Sequence, residues 1–156
     1  MKVGIMGGTF DPIHYGHLVA AEQARVGAKL DEVWFMPTHV PPHKSHLPAA
    51  SAARRWEMVN KAIEDHPCFR ACDLELRQGG TSYTVNTVKL LCSQEPGIDF
   101  AYIIGADMVE FLPNWFKINE IIQYIYFIGL QRPGYSIDMT NLTEAIEERV
   151  TIVACR

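Results

Sequence analysis

Short β-favouring and apolar runs alternate along this chain with stretches of helical spacing, and that alternation admits few folds. The runs Lys2 to Met6, Val33 to Met36, Phe100 to Ile104 and Ile125 to Leu130 have strand length. The last two are continuous, as strands covered on both faces must be. Between the first two, Gly16 to Ala28 places Leu18, Ala21, Ala24 and Ala28 on one helix face, which predicts a βαβ unit. Ser51 is positioned to cap a helix running to about Asp65, with Trp56, Val59, Ala62 and Ile63 on a shared face. Phe69 to Leu76 alternates weakly and predicts a strand, and Tyr83 to Ser93, behind Ser82, predicts a helix with Val85, Val88 and Leu91 inward. Asp107 to Tyr124 reads as helical with an interruption near Pro113, followed by a helix near Leu142 to Glu148 and a strand at Val150 to Ala154. The whole predicts an α/β fold with a doubly wound, Rossmann-like parallel sheet. Ligands are then expected at the carboxyl ends of the strands, near the topological switch point.

Bulk properties narrow the function classes. A chain of 156 residues, 48% apolar and 21% charged, is expected to form one packed domain over residues 1–156. Lys and Arg number 14 against 18 Asp and Glu, a net charge of −4, which leaves no electrostatic footprint for nucleic acid or an anionic membrane. The N-terminus lacks the basic and apolar regions of a secretory signal, and no apolar run reaches the roughly 20 residues that span a bilayer, so the expected location is cytoplasmic. Cys68, Cys72, Cys92 and Cys155 show no CxxC spacing and read as buried free thiols. Cys68 and Cys72 lie four apart in a predicted strand and are expected on one sheet face.

The segment Gly7-Gly8-Thr9-Phe10-Asp11-Pro12-Ile13-His14-Tyr15-Gly16-His17 follows a strand and opens a helix. Backbone N–H groups and the helix dipole converge there, which makes a site for an anion such as phosphate. Gly7 and Gly8 permit close backbone approach and positive φ, and Pro12 sets the entry to the helix. The segment is neither a GxGxxG fingerprint nor a GxxxxGK[ST] loop. His14 and His17, three apart, would point the same way on a helical turn and could donate to one triphosphate. The alternative is a capping histidine beside a core histidine. A zinc site built from His14, His17, His39, His43 and His46 would need a joining Cys or a regularly spaced carboxylate, and none is present, so no protein metal site is expected.

This segment resembles the first signature of the nucleotidyltransferase superfamily, in the branch of bacterial nicotinate mononucleotide adenylyltransferases. Met36-Pro37-Thr38-His39-Val40-Pro41-Pro42-His43-Lys44 is similar to that family's second loop, and Gly80-Thr81-Ser82-Tyr83-Thr84 to its nicotinate-recognition segment. Ile104-Gly105-Ala106-Asp107, Leu112-Pro113-Asn114-Trp115 and Arg132-Pro133-Gly134-Tyr135 match further motifs in order. The resemblance implies transfer of the adenylyl group of ATP to nicotinic acid mononucleotide, with Mg2+ bound through the ATP phosphates. It implies ATP contacts from Gly7, Gly8, Thr9 and Phe10, phosphate donors at His14 and His17, and further ATP contacts from Gly105, Asp107 and Arg132. By the same resemblance Lys44, in a loop stiffened by Pro41 and Pro42, would be a phosphate-binding point charge and complete the catalytic set with the two histidines. Ser82, Tyr83 and Thr84 would take the nicotinate carboxylate and Trp115 the pyridine ring.

Two departures stand out. Asn86 occupies a position where the family usually has Asp, and the ISSTxIR motif and tail helix expected after the final strand do not follow before Arg156. On the resemblance alone, the chain is therefore expected to be a shortened form with weakened ATP binding. The competing readings are a sister adenylyltransferase acting on nicotinamide mononucleotide or phosphopantetheine, and a nucleotide-binding module without catalysis. A class I aminoacyl-tRNA synthetase fragment would need a KMSKS-like loop, which is lacking. Homo-oligomerisation is left open.

Overall fold

Alternate side chains along β4 (Asp99–Gly105) enter two separate cores: Phe100, Tyr102 and Ile104 pack on one face of the sheet, Ala101 and Ile103 on the other. This period of two is what a strand with both faces covered requires. The computed structural model describes residues 1–39, 49–81, 83–134 and 136–155. Within it, β4 joins β1 (Lys2–Gly8), β2 (Glu32–Pro37), β3 (Phe69–Ala71), β5 (Tyr126–Gln131) and β6 (Val150–Ala154) in one parallel sheet of order β3-β2-β1-β4-β5-β6. That is the doubly wound order, and the chain reverses its direction of travel between β1 and β4.

Helix α1 (Tyr15–Gly27) crosses from β1 to β2 with Ala21 and Ala24 buried, so the predicted βαβ unit forms. Helix α4 (Thr84–Gln94) buries Val85, Val88 and Leu91 as expected. Each large apolar side chain fully buried in this way contributes about 1.5–3 kcal/mol relative to exposure. The sheet's centre therefore forms a stiff frame, and the strand ends carry the loops.

Several local expectations are corrected. The strand expected over Phe69 to Leu76 has only the three residues of β3, and Leu74–Gln78 is a helix, α3. Its sequence Leu-Glu-Leu-Arg-Gln consists of good helix formers, and Asp73 pairs with Arg77 across the turn. Cys68 and Cys72 consequently flank the strand instead of lying in it, and all four cysteines are half-buried, not buried. Helix α2 (Ala52–Ile63) is capped by Ser51 as expected, but its buried face is Arg55, Val59 and Ile63, with Trp56 half-buried and Ala62 exposed. The segment 107–124 breaks into α5 (Ala106–Val109), one 3-10 turn at Leu112–Asn114 and α6 (Ile118–Ile121). Pro113 and a left-handed Lys117, φ 55°, interrupt what would be a single helix. The last helix, α7 (Glu144–Glu147), is one turn capped by Thr143.

Candidate active site

The first strand ends under a close contact. A Cβ on Gly7 would lie 2.4 Å from the Tyr102 hydroxyl, so a larger residue would force a shift where β1 meets β4. The Thr38 amide donates to the Gly8 carbonyl at 2.9 Å and ties the end of β1 to the chain leaving β2. Gly7 and Gly8 belong to the strand and do not supply the expected positive φ. The left-handed step falls on Phe10, φ 51°, a strained conformation for a bulky residue. Burial holds it: Phe10 is 3% exposed, its ring 5.0 Å edge-on from His17 and 5.9 Å from Phe35. The Asp11–Pro12 peptide bond is cis.

His14 and His17 do point the same way, but the reason differs from simple helical spacing. His14 is the N-cap of α1, in extended backbone, and its Nδ1 accepts the Gly16 amide at 3.0 Å. The His17 Nδ1 accepts the His14 amide at 3.1 Å, closing a reciprocal capping box. The two rings stack at 3.9 Å. With Nδ1 of each ring occupied as an acceptor, the neutral ring must carry its proton on Nε2, so each presents an Nε2–H donor away from the helix. Gly16 makes this folding-back of His14 feasible, since a Cβ there would be 2.8 Å from the His14 ring. Desolvation, reinforced by His14, holds the His17 pKa below the usual histidine value. Of the two readings left open by the sequence, capping is met by both rings, and it leaves both Nε2 donors free of the helix.

Gly7, His14, His17, Gly105 and Arg132 line one cavity of about 400 Å³. Its walls come from the carboxyl ends of β1, β4 and β5 and the start of α1, at the switch point where a doubly wound sheet takes ligands. Among the described residues no carboxylate lines it, and its donors, two imidazoles and a guanidinium, suit a polyanion. A larger, open hollow of about 710 Å³ lies between α2 and the edge strand β3, lined by Trp56, Lys61 and Arg70 among others. It contains none of the residues predicted for the site.

The remaining predicted residues fall around this cavity or away from it. Thr9 presents its carbonyl to Arg55. Asp107 follows the end of β4 by two residues. It stands in the first turn of α5, whose N-cap is Gly105, and its Oδ1 lies 2.7 Å from where a Gly105 Cβ would be. Tyr83 is the N-cap of α4, 41% exposed, with its ring 5.2 Å from that of Phe116, the residue after Trp115. Thr84 opens α4. Trp115 is half-buried, edge-on to Phe127 at 5.5 Å, so part of it serves the core. Lys44 and Ser82 lie outside the described residues, as do His43, His46 and Tyr135.

Sequence reasoning missed three buried or bridging groups. Arg55 is 1% exposed and Glu75 2% exposed, the latter accepting from the Thr87 hydroxyl at 2.6 Å beneath the start of α4. Asp11 accepts from the Ala49 and Ala50 amides at 2.7 and 3.1 Å. The one signal for Arg55 was its i, i+4, i+8 spacing with Val59 and Ile63, a face that an arginine does not announce.

A family model described as cytidylyltransferase-like matches residues 5–153. A protein of Oceanobacillus iheyensis named "Probable nicotinate-nucleotide adenylyltransferase" is 50% identical over 146 residues, 94% of this chain and 76% of that protein. The nicotinate-nucleotide adenylyltransferase of Bacillus subtilis is 45% identical over 137 residues, 88% of this chain and 72% of that protein. The fold is similar to that of Plasmodium falciparum nicotinic acid mononucleotide adenylyltransferase complexed with NaAD, with a TM-score of 0.76 and 21% identity over 99% of this chain and 75% of that one. On the family match, these identities and the shared sheet, this chain belongs to the nicotinate-nucleotide adenylyltransferase family of cytidylyltransferase-like proteins.

Proposed function

We propose that this chain, one nucleotidyltransferase domain over residues 1–156, transfers the adenylyl group of ATP to nicotinic acid mononucleotide, giving nicotinic acid adenine dinucleotide and pyrophosphate in NAD biosynthesis. The observation that carries this reading is the cavity at the β1/β4 switch point, where His14, His17 and Arg132 converge in a chain half identical to a relative bearing that name.

A phosphate oxygen of the mononucleotide attacks the α-phosphorus of ATP. The bond from that phosphorus to the β-bridging oxygen breaks, and pyrophosphate leaves with the electron pair. The attacking phosphate is already ionised near neutral pH, so no general base is needed. The protein's work is to bring two polyanions into line and to stabilise charge on the leaving group. His14 and His17 donate through Nε2–H to the ATP phosphates, with Arg132 on the same cavity and Lys44 as a further point charge. Gly7, Gly8, Thr9 and Phe10 form the nucleotide-facing turn, and Gly105 and Asp107 face the ribose. Ser82, Tyr83 and Thr84 receive the nicotinate carboxylate at the start of α4, and Trp115 stacks on the pyridine ring.

Magnesium fits as an ion carried by ATP: hard cations take oxygen ligands, and the cavity wall offers nitrogen donors for phosphate instead of carboxylates for metal. When bound, it neutralises charge on the phosphates. Among the described residues no helix is long and apolar enough to cross a membrane. The cytoplasmic location expected from the sequence stays part of this proposal.

The test is an acceptor panel with purified protein and ATP: nicotinic acid mononucleotide, nicotinamide mononucleotide and phosphopantetheine, with pyrophosphate release measured beside calorimetric ATP binding. Release with the first acceptor above the others is expected. ATP binding without pyrophosphate release from any acceptor would replace this reading with a noncatalytic module.

A further inference from the structure

Arg55 is buried to 1% exposure in helix α2, and its partners among the described residues are backbone carbonyls from separate segments. Nη1 donates to the Thr9 carbonyl at 2.9 Å and the Thr38 carbonyl at 2.5 Å, Nη2 to the His39 carbonyl at 3.4 Å, and Nε to the Ala50 carbonyl at 3.2 Å. Asp11, two residues after Thr9, closes the same knot by accepting from the Ala49 and Ala50 amides. One side chain and one carboxylate thus gather residues 9–11, 38–39 and 49–50.

Retaining a cation there is costly. Burial lowers the Arg55 pKa, and the nearby Asp11 charge offsets this only in part. An apolar residue would serve packing on α2 with less desolvation, as Val59 and Ile63 do on the same face. What an apolar residue cannot do is hold several carbonyls at set angles, which the planar fork of arginine does. The turn it holds needs holding: Thr9 is followed by Phe10 in its left-handed conformation, and the Phe10 ring meets His17 edge-on at 5.0 Å.

We propose that Arg55 is a positioning residue for adenylyl transfer: its guanidinium sets the separation between the Thr9–Asp11 turn and the Thr38–His39 strand exit, and through Phe10 sets where His17 and its stacked partner His14 stand. This rests on the function proposed above for the same cavity. The displacement at stake is small, but a misplacement of about 1 Å remote from the reacting atoms can lower turnover about 10²-fold.

The test uses Arg55→Lys and Arg55→Met in this chain, with thermal unfolding, kcat and KM for both substrates, and hydrogen exchange of peptides covering residues 9–17 and 36–39, with residues 99–105 as control. In Arg55→Lys, unfolding close to the parent is expected together with faster exchange at 9–17, unchanged exchange at 99–105 and kcat lowered about tenfold or more at nearly unchanged KM. Arg55→Met is expected to show a larger effect in the same direction; if it fails to fold, the lysine variant decides. Recovery of both stability and kcat by lysine, or parent-like exchange at 9–17, would overturn the proposal by reducing Arg55 to a packing residue. Should the parent prove inactive, the functional reading fails by itself, and the exchange data still decide whether Arg55 holds the turn.

Discussion

The imidazoles of His14 and His17 stack at 3.9 Å because each uses its Nδ1 to accept a backbone amide at the start of α1, His14 from Gly16 and His17 from His14. The helix N-terminus and the proposed phosphate donors are therefore one structure. A proton added to Nδ1 of His17 would face the His14 amide N–H.

Stability should therefore fall on mild acidification. His17 is held below its ordinary value of 6.5 by desolvation and by His14. Unfolding restores that value, so the unfolded chain takes up the proton first as pH falls. The contribution is complete above about 6.5 and is lost as pH falls through the lowered folded value. Urea unfolding at about pH 7.5 and about pH 5.5 should show a larger drop for the parent than for His17→Asn, which keeps an acceptor without a titrating ring. Equal pH slopes would place the effect elsewhere.

The same asparagine variant separates capping from catalysis. His17→Asn can still accept the His14 amide but presents no Nε2–H, so turnover should fall about 10²-fold, the usual loss for one preorganised donor. His17→Ala should lose a similar factor in turnover and about 1 kcal/mol of stability, because the cap goes as well. Steady-state kinetics and chemical denaturation on both variants check this, and a parent-like turnover in His17→Asn would rule out the donor role.

Trp115→Ala is expected to weaken the pyridine nucleotide more than ATP, by roughly 1–3 kcal/mol, the worth of one ring stack on an aromatic. Because Trp115 also meets Phe127 edge-on, the variant should melt lower too, whereas Trp115→Phe should restore most of both properties. Separate KM measurements for the two substrates decide it: equal losses would assign Trp115 to the core alone.

Gly7→Ala places a methyl 2.4 Å from the Tyr102 hydroxyl. Overpacking of this kind typically costs about 1–3 kcal/mol. Tyr102→Phe removes the offending oxygen, so the double variant should regain part of the loss. A double-mutant cycle by urea unfolding tests the coupling, and strict additivity would mean that the strain is relieved by backbone movement instead.

Much of this protein was legible in its sequence because the relevant physics is local. Uninterrupted apolar runs such as Phe100 to Ile104 admit a strand covered on both faces, and helical spacing from Leu18 to Ala24 admits the crossover, so the parallel sheet follows from periodicity alone. The Gly7 to His17 segment likewise runs from the end of β1 into the start of α1, as its glycines and helix-opening residues predict. What tertiary structure decided are properties that depend on partners distant in sequence. Cys68 and Cys72 had a strand's spacing, yet β3 pairs with β2 for only three residues, and Asp73 with Arg77 favours a helix beyond it. Phe10, not a glycine, takes the left-handed step because a core of Phe35 and His17 closes around its ring. Arg55 looks like a surface residue in α2 until Thr9, 46 positions earlier, and Thr38, 17 earlier, present their carbonyls to it. A backbone carbonyl has no side-chain signature, so only the folded chain shows which arginine gathers them.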